Sequence, residues 1–472
     1  MAKVNTADSN AARPTNLGTW IILIVGVTIL TVVGVSVPHL VGRAGWASGE
    51  KFLYLALIAY LGASALHVLS LTTRQPNLLA GAEALARGGL LLQTGAIVTR
   101  WVTAGHAPLT SIYEMVLVFS WAVVVLQEVA QWKLDVPFLG AITLPIASLA
   151  IVLLQVLPSE IRPLVPALQS TWLQIHVTLA MLSYAGFTLS FALALLFLIK
   201  DGVRVRTFLG WTSALVGGIY AAIILTSVDG SLAFLLPAWD AAAQEKVMVA
   251  PREPLLVSIP SLGWPFVAVL GLAAATLLVN LIDSKGQTAS RWGEWAGRLF
   301  LACVFAQGLT LVWLLLKVHS GPYFVPQVGQ SFEVRLAASP FLLAGIVSGL
   351  FASLAWEGLS WKCEVIANLL PQRETLDGLI YKTVAISFPL LTLMIIAGAY
   401  WANRTWGSYW SWDPKEDWAL VTWLTYAAYL HMRLTHGWRG RRSAYFAIVG
   451  FAVVMFTFFG VTYLLPGLHA YA

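Results

Sequence analysis

The sequence predicts an all-α, polytopic integral membrane protein of about thirteen transmembrane helices. Three observations carry that prediction. Of 472 residues, 58% are hydrophobic and only 11% charged. Apolar runs of about 20 residues recur along the chain, each long enough to cross a ~30 Å hydrocarbon core as a helix. Helices satisfy their own backbone in lipid, so such runs adopt them. The basic residues are also sided. With the N-terminus in the cytoplasm, 18 of the 28 Lys and Arg fall in inner segments, the positive-inside arrangement. The net charge of +6 reflects this bias and is no sign of a nucleic-acid partner.

In chain order, the candidate spans are 19–40, 52–72, 88–104, 112–132, 138–157, 174–199, 207–227, 263–283, 297–317, 339–359, 383–402, 418–434 and 443–465. The first is too long for a signal-peptide core and reads as an uncleaved span. An odd number of spans places the C-terminus outside, together with the connector 403–417. The longest outer loop, 228–262, is polar and contains Pro, and is expected to form a small extramembrane flap. The inner segment 433–443 (RLTHGWRGRRS) is strongly basic, as a topology determinant facing anionic lipid would be. Cys303 and Cys363 lie far apart, and no CxxC or CxxCH occurs. The chain therefore carries neither a covalent c-type haem nor a dithiol redox motif. It also has no GxSxG, HExxH or phosphate-binding loop, so hydrolytic and nucleotide-driven chemistry finds no signature.

The most distinctive stretch is 401–423, WANRTWGSYWSWDPKEDWALVTW, which holds six of the chain's 21 tryptophans. Trp suits membrane–water boundaries, but six around an acidic knot point to a surface that receives a large flat apolar ligand. Asp413 before Pro414, with Glu416 three residues on, predicts a capping box at the start of the next helix.

The histidines are the candidate ligands. His39, His106, His176, His319 and His469 fall toward the outer face, and His67, His431 and His436 toward the inner. His431 lies 13 residues after Trp418, roughly 20 Å down its helix, and His67 lies 16 residues after Lys51, roughly 24 Å down its own. Two imidazoles at matched depth are able to ligate one haem iron from both faces, with Arg433 or Arg74 near a propionate. The bland alternative is that each only hydrogen-bonds a neighbouring helix. His176 and His469 flank the layer of the Trp-rich connector and suggest a second, outer site. His106 stands beside a proline and is expected to order its loop. His39 and His319 have no second feature pointing to them, and His436 is expected to be solvated.

With these residues in view, WGSYWSWDPKEDWALVTWLTYAAYLHMR resembles the Trp-rich WWD signature of the haem-handling cytochrome c biogenesis proteins, and the CcsA (ResC-like) family of System II in particular. RWVTAGHAPLTSIYEMVLVFSWA (100–122), LVPALQSTWLQIHVTLAMLSYA (164–185) and FFGVTYLLPGLHAYA (458–472) match in the family's order. The resemblance implies a multi-pass protein of the cell inner (plasma) membrane or a thylakoid-type membrane. It would bind haem b non-covalently and present it outside for attachment to the CxxCH of apocytochrome c. A CcsB-type partner would work with it as part of a synthase, and a thiol-reducing thioredoxin-like protein is a further expected partner.

Carried over residue by residue, the outer haem falls to His176 and His469, with Trp406, Trp410, Trp412, Trp418 and Asp413 around it. The membrane haem falls to His431, with His67 or a histidine of the CcsB portion as second ligand. The implied division of the chain is 1–50, an extra helix; 51–200, the N-terminal family helices with His106 and His176; 201–382, inserted helices with loop 228–262; and 383–472, the WWD core with His469. Two other functions share the paired histidines: a bis-His b-haem electron-transfer subunit and a simple haem exporter.

Overall fold

The computed structural model describes residues 49–134, 136, 138–154, 157, 159, 161, 163–202, 205–240, 243, 245–250, 253–283, 291–336, 342, 346, 349, 353, 367–465 and 467. Eight of the described helices are long and apolar enough to cross a membrane, and the chain is a polytopic helical membrane protein. The spans expected at 19–40 and 339–359 fall wholly or largely outside the described residues. The other eleven each coincide with a helix.

The first five helices are α1 (Glu50–Thr73), α2 (Pro76–Ala104), α3 (Ile112–Leu134), α4 (Gly140–Leu154) and α5 (Thr171–Lys200). After an accessory segment come α9 (Arg373–Trp406), α10 (Pro414–Thr435) and α11 (Arg441–Met455), the last continuing through a π-turn at Phe456–Gly460 into Val461–Leu464. These elements share one core. Its centre is α5, whose most apolar window is 83% buried, so it is packed on all sides. Small residues let α9 lie along it. At Gly186 the helices approach so closely that an added Cβ would strike the Ser387 side chain, the small-residue packing that joins helices in lipid.

The accessory segment has a core of its own. It comprises α6 (Val205–Ser227), α7 (Gly263–Asp283), α8 (Arg291–His319) and strands at one end of these helices. The strands are β1 (Phe234–Asp240), β2 (Glu245–Lys246), β3 (Met248–Ala250), β4 (Glu253–Pro254), β5 (Leu256–Ile259), β6 (Tyr323–Val325) and β7 (Gln330–Val334). β1 pairs antiparallel with β5 (Phe234 opposite Ile259), β2 (Trp239 opposite Lys246) and β7 (Ala238 opposite Val334), and β6 adds to β7. The expected flap is thus a small sheet, built jointly by the loops 228–262 and 318–338. Fold class is unaffected, but strands were not anticipated there. They are two to seven residues long, too short for a clear alternating pattern.

The two ends of the main bundle are closed by different chemistry. At the basic end, Arg433 forms a two-point ion pair with Asp377 at 2.7 and 2.8 Å, and Gly440 N–H donates to the same carboxylate at 2.9 Å. Asp201 meets both Arg373, at 2.7 Å, and Arg441. At the other end, buried Arg100 and Glu114 pair at 2.8 Å. The second Glu114 oxygen accepts from Thr110 N–H and Oγ1 at 3.0 and 2.8 Å, fixing the loop that enters α3.

Candidate haem site at the tryptophan connector

The connector between α9 and α10 is rigidly made. α9 ends on Gly407 with φ 78°, a left-handed conformation natural to glycine. Asp413 caps α10, accepting from Lys415 N–H at 3.0 Å, while a Glu416 oxygen accepts from Ser411 N–H at 2.7 Å and Asp413 N–H at 3.4 Å. The expected capping box is present.

Beneath the connector lies an open-mouthed cavity. Its walls come from α5 (Leu173, His176, Tyr184), α9 (Met394, Gly398, Ala402), the entry loop to α3 (Leu109, Thr110) and the π-turn (Phe458). Tyr409, Trp410 and Lys415 line the connector side.

His176 is the polar centre of this cavity. Its Nδ1 lies 2.8 Å from the Met394 carbonyl. A carbonyl only accepts, so Nδ1 is the donor and the neutral ring carries its lone pair on Nε2. That is the tautomer and the support a metal-binding imidazole requires. The ring fits because residue 398 is glycine: a Cβ there would lie 2.6 Å from His176 Cε1 and Nδ1. Trp401 stacks beyond it, ring centroids 6.3 Å apart at 20°. Trp401 is itself buried and donates from Nε1 to the Ala167 carbonyl at 3.0 Å.

The tryptophans expected around the ligand have four different placements. Trp410 lines the cavity. Trp406 packs edge-on against Trp401 at 4.8 Å. Trp418 packs on Phe456 at 4.3 Å. Trp412 is 72% exposed and holds φ 59°, a left-handed conformation costly for a bulky residue. Asp413 is buried as a cap, and Gly467 of the C-terminal tail lies directly against it. His469 lies outside the described residues, as does His39. Trp401 and Tyr409 were not singled out from the sequence. Trp401 stood in the Trp-rich stretch, but only tertiary packing reveals which rings face inward.

The histidines at the other end are not brought together. His67 is completely buried, with its ring against Gly140 of α4. His431 is exposed on α10, its ring 5.5 Å from that of His436, also exposed. α1 packs on α2 and α4, whereas α10 packs on α9 and α11. Matched depth did not imply adjacency. Arg433 is held by Asp377, so the propionate expected beside it has a competitor already in place. His106 lies in the loop before α3, with Nδ1 3.1 Å from the Ala107 carbonyl and Nε2 buried. His319 is exposed at the end of α8, its Nδ1 3.1 Å from the Leu315 carbonyl. No group of three or more metal-ligating side chains occurs among the described residues.

The molecule is thus a polytopic membrane protein with an apolar cavity at one end, containing one oriented imidazole under an aromatic connector. Residues 109–469 match the family described as Cytochrome C assembly protein. Similar proteins include "Cytochrome c biogenesis protein CcsA" of Nostoc punctiforme, 31% identical over 445 residues, covering 92% of this chain and 99% of the relative. That of Picosynechococcus sp. is 31% identical over 430 residues, covering 89% and 94%. Among solved structures, "Cytochrome c Heme Lyase CcmF" aligns with a TM-score of 0.30 at 16% identity, over 90% of this chain and 73% of that one. The chain belongs to the cytochrome c assembly protein family, as a multi-pass membrane protein of cytochrome c biogenesis.

Proposed function

We propose that this chain binds haem b non-covalently and presents it, as the haem-handling subunit of a System II cytochrome c synthase. The observation that carries the reading is His176, oriented by the Met394 carbonyl inside a largely apolar cavity under the connector. Haem is the substrate. His176 Nε2 takes one side of the iron and His469 the other. Contact of Gly467 with Asp413 supports a tail that returns to this end of the bundle. Trp410 and Tyr409 flank the porphyrin, and Trp412 offers an exposed ring to the incoming protein. Trp406 and Trp418 hold the connector in shape, and Asp413 fixes the start of α10. Bis-His ligation keeps the iron six-coordinate until the apocytochrome's own histidine displaces one ligand. Its reduced thiols then add S–H across the vinyl groups. The protein's share is binding, orientation and ligand exchange.

In this reading the connector end faces outward, at the inner (plasma) membrane or a thylakoid-type membrane, with N-terminus inside and C-terminus outside. The exposure of His431 supports a membrane haem whose other ligand comes from a CcsB-type partner rather than from sealed His67. A thioredoxin-like protein would keep the acceptor thiols reduced. The test is complementation of a deletion strain by His176→Gly and His469→Gly variants, read as covalent haem on a reporter cytochrome c. Loss of product, with recovery on added imidazole, is expected. Normal product from both variants would overturn the proposal.

A further inference from the structure

The cavity under the connector has one lysine in its wall and no arginine among the described residues. Lys415 stands in the first turn of α10 and faces the space that His176 enters from the opposite helix layer. The neighbouring acid, Glu416, is engaged in the cap through the oxygen that accepts from Ser411 and Asp413. The rest of the wall is predominantly apolar and aromatic. An ammonium in such a place is poorly solvated. Burial pushes Lys415 below the usual lysine range, an effect that the charge of Asp413 opposes.

A cation set in an apolar wall attracts an anion, and the nearby Asp413 carboxylate is held as the helix cap. The start of α10 adds the partial positive charge of a helix N-terminus in the same place. Haem presents two carboxylates on one edge of an otherwise apolar disc, with the iron at its centre. An imidazole alone fixes the iron but leaves the disc free to rotate about the Fe–N axis. A second, charged contact at the rim removes that freedom and decides which edge carries the vinyl groups outward.

We infer that Lys415 is a positioning residue for haem: its ammonium pairs with a propionate and sets the rotational orientation of the porphyrin in the cavity. The inference rests on the proposed haem site and deepens it. One charge-assisted pairing corresponds to about tenfold in affinity.

The test uses the full-length protein in detergent, prepared without haem and titrated with two porphyrins: haem, and haem dimethyl ester, whose propionates carry no charge. Lys415→Gln is expected to weaken haem binding about tenfold and to leave the ester unchanged. Lys415→Arg, which keeps the charge, is expected to retain most of the haem affinity. Binding of the ester by Lys415→Gln doubles as the check that the variant is folded. Equal loss for both porphyrins, or no loss for either, would overturn the inference. If the wild type binds neither porphyrin, the haem site itself is wrong, a result distinguishable from failure of the lysine contact alone.

Discussion

Replacing Gly398 with alanine adds one methyl group at the most sensitive point of the cavity. The new Cβ would lie 2.6 Å from His176 Cε1 and Nδ1, nearly 1 Å inside ordinary van der Waals contact. The ring must withdraw by about that amount, because the obstacle is helix backbone on one side and a rigid imidazole on the other. The Nδ1–Met394 hydrogen bond, now 2.8 Å, then stretches past useful length, and Nε2 loses its aim. Outer partners of metal-binding histidines are typically worth 10–100-fold in affinity or activity, so haem affinity should fall by that range. The overpacking itself costs about 1–3 kcal/mol. A control is available on the same helix. Gly378 has nothing within 4 Å of an added Cβ, and Gly378→Ala should stabilise by up to ~1 kcal/mol. Haem titration of purified protein, alongside thermal unfolding of both variants, makes the comparison. Wild-type haem affinity and cytochrome yield in Gly398→Ala would refute the idea that Met394 and Gly398 position His176.

Other consequences follow from the bundle ends and the connector. Asp377→Ala leaves Arg433 without its carboxylate and should cost about 3 kcal/mol or more in thermal stability, whereas a paired Asp377→Leu, Arg433→Met change should recover much of that loss; an unaffected single variant would contradict it. Asp413→Ala removes the cap of α10 and should cost about 1 kcal/mol by the same assay. Trp412→Gly relieves the left-handed backbone at an exposed site, so stability should hold or rise by about 1 kcal/mol while delivery of haem to the cytochrome falls. Unchanged delivery would remove Trp412 from the proposed site.

Much of the fold was legible because lipid imposes a one-dimensional rule: a helix must be long and apolar, and run length reports both. The start of α10 was legible for a similar reason, since Asp413, Pro414 and Glu416 act within one turn. Facing was harder. His67 and His431 have matching depth along their helices, yet one is sealed against Gly140 and the other exposed, and depth carries no information about azimuth. Arg433 or Arg74 was expected near a propionate; the carboxylate that Arg433 does meet, Asp377, lies 56 residues away in sequence. The role of Gly398 also depends on a distant residue, His176, and glycine offers no side-chain chemistry to notice. The strands around β1 escaped because they are short and pair across loops separated by two whole helices.

The central claim is that His176 ligates haem through an imidazole held by the Met394 carbonyl. Its most direct test is the absorption spectrum of the purified protein and of His176→Gly, each with and without added imidazole. A six-coordinate, low-spin haem in the wild type, lost or altered in the variant and restored by imidazole, is the predicted result. An identical spectrum from wild type and variant would contradict it.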